Sequence, residues 1–235
     1  MSETLLRRRT SSRKYNDNLL DESQVHSILD EAAWSPSGGN TQPWKVVLLE
    51  PLPAKALREK YELKGWSALL PELWNLVETM KNAKVSPGEA YKTANQLVEH
   101  EGIIQGMPWL AVVYYEKDKT TFSAAKKIFQ ASKFQKSRIK WVFESVNMIF
   151  RINPKVKRDS VVCFLYSICL AATQKGVGSV IQYTYSNWAV ELKKICGLQS
   201  SANIVGVVWL GHIDTVQAKS SVGRTRKPVD IKVIK

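Results

Sequence analysis

Trp34-Ser35-Pro36-Ser37-Gly38-Gly39-Asn40-Thr41-Gln42-Pro43-Trp44 joins an amphipathic helix to an apolar strand. On its N-terminal side, Val25, Ile28, Leu29, Ala32 and Ala33 recur at helical spacing behind Asp21, a suitable N-cap. On its C-terminal side, Val46-Val47-Leu48-Leu49 reads as a buried strand ended by Glu50-Pro51. The linking residues are small or hydrogen-bonding and lie between two prolines and two tryptophans. Pro43 is expected to push Gln42 toward extended backbone, and Gly38-Gly39 admits dihedrals that other residues avoid. Such a loop can press its backbone against a flat ligand, leaving Ser37, Asn40 and Gln42 to address that ligand's polar edge.

Outward from this stretch, 235 residues with 44% apolar content suffice to bury a sizeable core. The expected organisation is one domain over residues 1–235, with a divergent helical lid or insert at about 117–158. No run approaches the roughly 18–20 apolar residues of a membrane span, and the charged N-terminus lacks the apolar centre of a secretory signal. Cys163, Cys169 and Cys196 are odd in number and sit among apolar residues, so they read as reduced core thiols of a cytoplasmic protein. His26, His100 and His212 have no ligand-spaced companions, and no metal site is expected. No grouping suggests a serine or cysteine hydrolase.

A second motif lies upstream. Arg9-Thr10-Ser11-Ser12-Arg13-Lys14-Tyr15 sets hydroxyls between guanidinium groups, a composition suited to phosphate, because charge-assisted bonds are about twice as strong as neutral ones. The first short helix should begin near Thr4 and end at this run.

The two motifs together, in this order and about twenty residues apart, resemble the FMN-dependent nitroreductase family. Arg9-Thr10-Ser11-Ser12-Arg13-Lys14-Tyr15 matches its Arg-x-Ser-x-Arg/Lys-x-aromatic pattern, and Pro36 to Trp44 matches its Pro-Ser-x-x-Asn-x-Gln-Pro-Trp pattern. The resemblance covers residues 5–50, 109–115 and 159–235. It implies an α+β fold, a central mixed or antiparallel sheet flanked by helices, in a homodimer with a domain-swapped character and FMN at the interface. Arg9, Thr10 and Ser11 would hold the FMN phosphate, and Arg13 would lie by the N1–O2 edge, where a cation favours the reduced ring. Pro36, Ser37, Gly38, Asn40 and Gln42 would approach the ring from the partner subunit. After the strand Gly178 to Gln182, Tyr183-Thr184 stands where many members have Glu-Gly and present backbone N–H groups to flavin N5. The Tyr183 ring is as ready to pack as to stack. Gly211-His212 resembles the family's Gly-Tyr/His, where the His is structural. In the tail, Arg224 and Arg226 of Gly223-Arg224-Thr225-Arg226-Lys227-Pro228 match the cations that reach the same phosphate, and residues 230–235 would add a strand to the partner's sheet.

The implied activity is NAD(P)H-dependent reduction of nitroaromatics, quinones or related acceptors by ping-pong hydride transfer, with NADH or NADPH as reductant. No side chain need be an essential acid or base. Dehalogenation, azoline oxidation, flavin fragmentation and non-catalytic flavin sequestration remain alternatives.

Elsewhere the chain is read from its own pattern. Pro51-Leu52-Pro53 and Ser86-Pro87-Gly88-Glu89 open helices, and Trp66, Leu69, Leu70 and Trp74 suit a core or an interface better than a pocket. Trp109 to Tyr115 is a central strand. Asn153-Pro154 is expected to end the basic segment, and Asp159 to cap a helix running to Lys175 with Val161, Phe164, Leu165, Ile168, Cys169 and Ala172 on one face, ended by Gly176. Ser186 or Asn187 should cap a helix from Trp188 to Cys196, and Ile204 to Gly211 is a buried strand. The net charge is +13, and residues 117–159 hold twelve Lys/Arg against three Asp/Glu. That segment reads as a solvated lid, as a guide for an anionic substrate or nicotinamide phosphate, or as a surface for lipid headgroups or nucleic acid. The lid is preferred, and no nucleic-acid partner is expected because no RNP, KH or zinc motif accompanies the aromatics.

Overall fold

A computed structural model describes residues 4–60, 86–89, 92–93, 104–117, 127, 129–131, 137–148 and 153–214. Arg224, Arg226, the strand expected at 230–235, and Trp66, Leu69, Leu70 and Trp74 lie outside the described residues. The elements are α1 (Leu5–Arg8), α2 (Glu22–Ala32), β1 (Lys45–Leu49), α3 (51–60), β2 (Trp109–Glu116), α4 (Arg138–Asn147), α5 (Asn153–Gln174), β3 (Gly178–Gln182), α6 (Ala189–Ile195) and β4 (Ala202–Gly211). Residues 87–89 and 92–93 are also helical, with the Glu89 N–H and carboxylate both bonded to the Ser86 hydroxyl.

The four strands form one antiparallel sheet in the order β1-β2-β4-β3. Trp109 to Tyr115 is apolar without alternation because β2 is interior and covered on both faces. Ala111 and Val113 face α2 and α5 with Val25, Ile28, Phe164, Leu165 and Val208. Leu110 and Val112 face the other way, with Leu57, Tyr185, Leu192, Val207 and Trp209. Helix α2 starts in a capping box, the Gln24 side chain accepting the Asp21 N–H at 3.1 Å, and buries Val25, Ile28 and Ala32.

Helix α5 begins at Asn153, six residues before the expected cap at Asp159, so Asn153-Pro154 marks the start of a new helix. A proline in the first turn displaces no intrahelical bond, since those N–H groups have no helical partner anyway. The stripe Val161, Phe164, Leu165, Ile168, Cys169 and Ala172 is buried as its spacing predicts. Cys163 falls between stripe positions and is exposed, so it is no core thiol; Cys169 is buried and Cys196 half-buried. Gly176 (φ 70°) and Gly197 (φ 64°) end their helices in the left-handed region. Before α6 a short 3-10 turn, Thr184–Trp188, replaces the capped start expected at Ser186 or Asn187.

The N-terminal segment is laid along the sheet. Ser11 bridges Ser179 in parallel, Lys14 bridges Gln105, and Tyr15 bridges Ile213. The buried Tyr15 hydroxyl donates to the Ser12 carbonyl, and the Gly106 backbone passes so close that a Cβ there would lie 2.0 Å from the Tyr15 carbonyl oxygen. Burial holds the Tyr15 phenol well above its usual ionisation range. The unfolded chain therefore releases that proton first as pH rises, so the Tyr15 contribution to stability is constant below about pH 9 and falls above about pH 10. Tyr15→Phe should make alkaline unfolding shallower by one proton, at a cost of about 1 kcal/mol at neutral pH for the lost bond, read by urea titrations across pH.

Candidate functional site

Pairing of Ser11 with Ser179 fixes the basic segment against the start of β3. The Ser12 N–H donates to the Ser179 carbonyl at 2.9 Å. Extended backbone alternates its side chains, so Arg9, Ser11 and Arg13 share one side. Arg9 Nη1 lies 3.5 Å from Ser11 Oγ, and Arg13 Nη1 donates to the Ser11 carbonyl at 3.4 Å. Two guanidinium groups thus bracket one serine, and Arg9 has no carboxylate partner among the described residues. Thr10 is turned the other way. With Arg8, Ser12, Thr173 and Gly178 it lines a separate small cavity of about 180 Å³. Beside this segment, burial pushes the Cys169 thiol up, against the smaller opposing pulls of the Ser179 hydroxyl and Arg9. Cys169 is thereby kept a neutral packing group.

The far end of β3 presents Gln182, Tyr183 and Thr184. Gln182 is buried, its Oε1 accepting the Trp209 Nε1 hydrogen at 2.6 Å. Tyr183 is half-exposed and its ring lies over Gly206, where a Cβ would come within 3.2 Å of Cδ1. Burial, then Cys169, raises the Tyr183 phenol, and Arg158 opposes the shift. Arg158, exposed about one turn before Val161 on α5, also pulls down the Tyr115 phenol that burial raises. Thr184 opens the 3-10 turn that seats Tyr185 edge-on to Trp188 and Trp209. At about 3.3 Å per residue, Ser179 and Tyr183 are about 13 Å apart along the strand.

The loop between α2 and β1 is held by α5. The Gly38 N–H donates to Ser160 Oγ at 3.2 Å, and the Ser160 hydroxyl donates to the Val156 carbonyl at 2.7 Å. Trp44 stacks on Phe164 with centroids 4.9 Å apart and planes 3° from parallel. The backbone is left-handed at Gly39 (φ 60°), Asn40 (φ 53°) and Gln42 (φ 42°). Gln42 is therefore not extended, as the following proline had suggested. The Ser37 hydroxyl accepts the Gln42 N–H at 3.0 Å, and Gln42 Nε2 donates to Asn40 Oδ1 at 3.0 Å, which holds the turn. Left-handed conformations at non-glycine residues cost about 1–3 kcal/mol each and concentrate at functional positions. Pro36, Gly38, Asn40 and Gln42 are exposed, and Ser37 is half-buried.

A Cβ at Gly38 would lie 2.2 Å from Val156 Cγ1. Gly38→Val should unseat the loop at about 1–3 kcal/mol, seen as faster amide exchange across residues 37–44. Below the loop an open groove of about 830 Å³ is lined by Gln42, Trp44, Lys45, Lys117, Lys157 and Ser201. Lys45 bonds Glu116 at 2.8 Å there, which raises its ammonium pKa.

Within one chain the loop and the basic segment do not meet. The loop rests on Val156 and Ser160, whereas Thr10 shares its cavity with Thr173 at the other end of α5. At 1.5 Å per residue those anchors are about 20–25 Å apart. Arg158, Ser160 and Gly206 were not picked out by sequence reasoning. The spacing of the α5 stripe, extended one turn backwards, reaches Arg158; nothing local marks the other two. His212 serves the backbone, its carbonyl accepting the Asn16 N–H at 3.0 Å. Among the described residues no group of His, Cys, Asp and Glu is arranged to hold a metal ion, and no helix is long and apolar enough to cross a membrane.

Comparison with known proteins extends this picture. A 4-nitrobenzoate reductase from Nocardioides sp. (strain LMS-CY) is 21% identical over 242 residues, covering 97% of this chain and 87% of the relative. A nitroreductase with bound FMN from Desulfitobacterium hafniense DCB-2 superposes with a TM-score of 0.57 at 17% identity, over the full length of both chains. A variant of the FMN- and NADPH-dependent nitroreductase NfnB from Sphigopyxis sp. strain HMH gives 0.58 at 14% identity, over 98% of each chain. The nitroreductase family model matches residues 6–148, more than half of the sequence. The chain belongs to the nitroreductase family.

Proposed function

We propose that this protein is an FMN-dependent NAD(P)H oxidoreductase that reduces nitroaromatic, quinone or related small acceptors, and that it works as a homodimer. The observation that carries the reading is the convergence of Arg9 and Arg13 on Ser11 at one end of β3, with Tyr183-Thr184 at the other. The donor set fits FMN: two cations and a hydroxyl suit a phosphate and an electron-rich ring edge, and the span along β3 matches one FMN molecule.

Bound FMN supplies hydride acceptance from NADH or NADPH and hydride delivery to the acceptor, in alternating half-reactions. The chain's own residues bind and orient. Arg9 and Ser11 hold the phosphate, with Thr10 contributing its backbone, because its side chain faces the other cavity. Arg224 and Arg226 would close on the same anion. Arg13 places positive charge by the ring. The Tyr183 and Thr184 backbone N–H groups address N5. The left-handed turn carrying Pro36, Ser37, Gly38, Asn40 and Gln42 is assigned to the ring of the partner subunit on the family resemblance of its motif. The FMN and NADPH of the structural neighbours and the nitro substrate of the Nocardioides relative support this choice of cofactor, reductant and acceptor.

The test is direct. Protein soaked in FMN and desalted should retain about one flavin per chain, bleach with NADH or NADPH under anaerobic stopped flow, and recolour with a quinone. A colourless protein sinks the reading; a yellow protein that NAD(P)H cannot bleach makes it a flavin-sequestering protein.

A further inference from the structure

Helices α2 and α5 bury their apolar stripes, and α4 does not. Ile139 is 88% exposed, Phe143 74% and Val146 39%. At 100° per residue these three fall within an arc of about 60°. Trp141, on the opposite side of the helix, is half-buried. The helix turns its apolar row of Ile139, Phe143 and Val146 to solvent. Lys140, beside that row, reaches Glu144 at 3.9 Å. Nearby Phe129, also helical, is 58% exposed.

The sequence that carries this row is lopsided in charge. Residues 117–159 carry a net +9 of the chain's +13. We propose that α4 lays Ile139, Phe143 and Val146 into an anionic lipid surface while lysines and arginines of the same basic stretch of sequence neutralise its headgroups. A basic segment with a narrow apolar face is the composition that binds such surfaces, apolar burial and headgroup attraction adding together. A second copy of this chain is a poor occupant, because face-to-face association would bring two +9 segments together. Single-stranded nucleic acid needs flat rings for base stacking, and this row offers two aliphatic side chains and one phenyl.

The experiment sediments the full chain with phosphatidylcholine vesicles, with and without phosphatidylglycerol, at low and high salt. Binding is expected only with phosphatidylglycerol, and salt should weaken it. The exposed double substitution Ile139→Asp/Phe143→Asp should lower the partition coefficient at least about tenfold and leave the thermal midpoint unchanged. The single variant Ile139→Asp should fall between. The proposal is overturned by absence of binding to the anionic vesicles, by equal binding to both vesicle types, or by undiminished binding of the double variant. A change in mass by light scattering on introducing the aspartates also overturns it, since a second copy would then be the occupant.

Discussion

Arg9→Ala is expected to weaken FMN binding about ten- to a hundredfold, because hydrogen bonds to a charged group contribute about 1.5–3 kcal/mol. Flavin fluorescence titration of the apoprotein measures it. The effect should be confined to the ligand. Arg9 is half-buried, and its guanidinium makes a marginal 3.5 Å approach to the Ser11 hydroxyl. Unfolding of the apoprotein should hardly move. Arg9→Lys keeps the charge but loses the forked donor geometry and should recover part of the affinity. Ser11→Ala, removing a neutral donor worth about 1 kcal/mol, should cost about fivefold. An Arg9→Ala protein that binds FMN as tightly as the parent would remove this segment from the phosphate site.

The largest loss of stability is expected from Trp209→Ala. Trp209 is fully buried at the centre of the sheet face away from α5, edge-on to Tyr185 at 6.1 Å, with its indole N–H on Gln182 Oε1 at 2.6 Å. Truncating a buried tryptophan costs about 3–5 kcal/mol through lost burial and the cavity left behind. The removed bond also takes from Gln182 the donor that fixes it just before Tyr183-Thr184. Urea denaturation reads the stability. Trp209→Phe separates the two contributions, keeping most of the volume and losing only the N–H, for about 1–3 kcal/mol. A Trp209→Ala cost below about 1 kcal/mol would mean that this face collapses freely around the gap.

Much of this was legible in the sequence because it is written locally. The Asp21 and Gln24 cap, the unbroken apolar run of β2 and the stripe along α5 are each contained in one short window. The two motifs proposed to form the site are local as well, so Arg9, Ser11 and the loop from Pro36 to Gln42 could be put forward before any contact was known. What escaped depends on contacts between distant residues. Nothing near Ser160 says that its hydroxyl will receive the Gly38 N–H from 122 residues away. The Gln42 dihedral is set by Ser37 and Asn40 closing the turn, which overrides the general effect of a following proline. Pro154 reads as the end of one segment until it is known to occupy the first turn of the next helix. Cys163 has the hydrophobicity of a core residue, and its phase on the helix puts it outside.

The antiparallel order leaves β1 at one rim of the sheet, with β2 on its inner side and no strand beyond it among the described residues. Such a rim is a template for another strand, and bare templates favour uncontrolled growth of sheets between molecules. Lys45, exposed at the head of β1, is the kind of charge that discourages this. The solution behaviour of the chain should therefore depend on its concentration and on whatever sequence completes that border. Removing that bordering sequence should reveal an aggregation hazard that grows with protein concentration, while the interior remains sound.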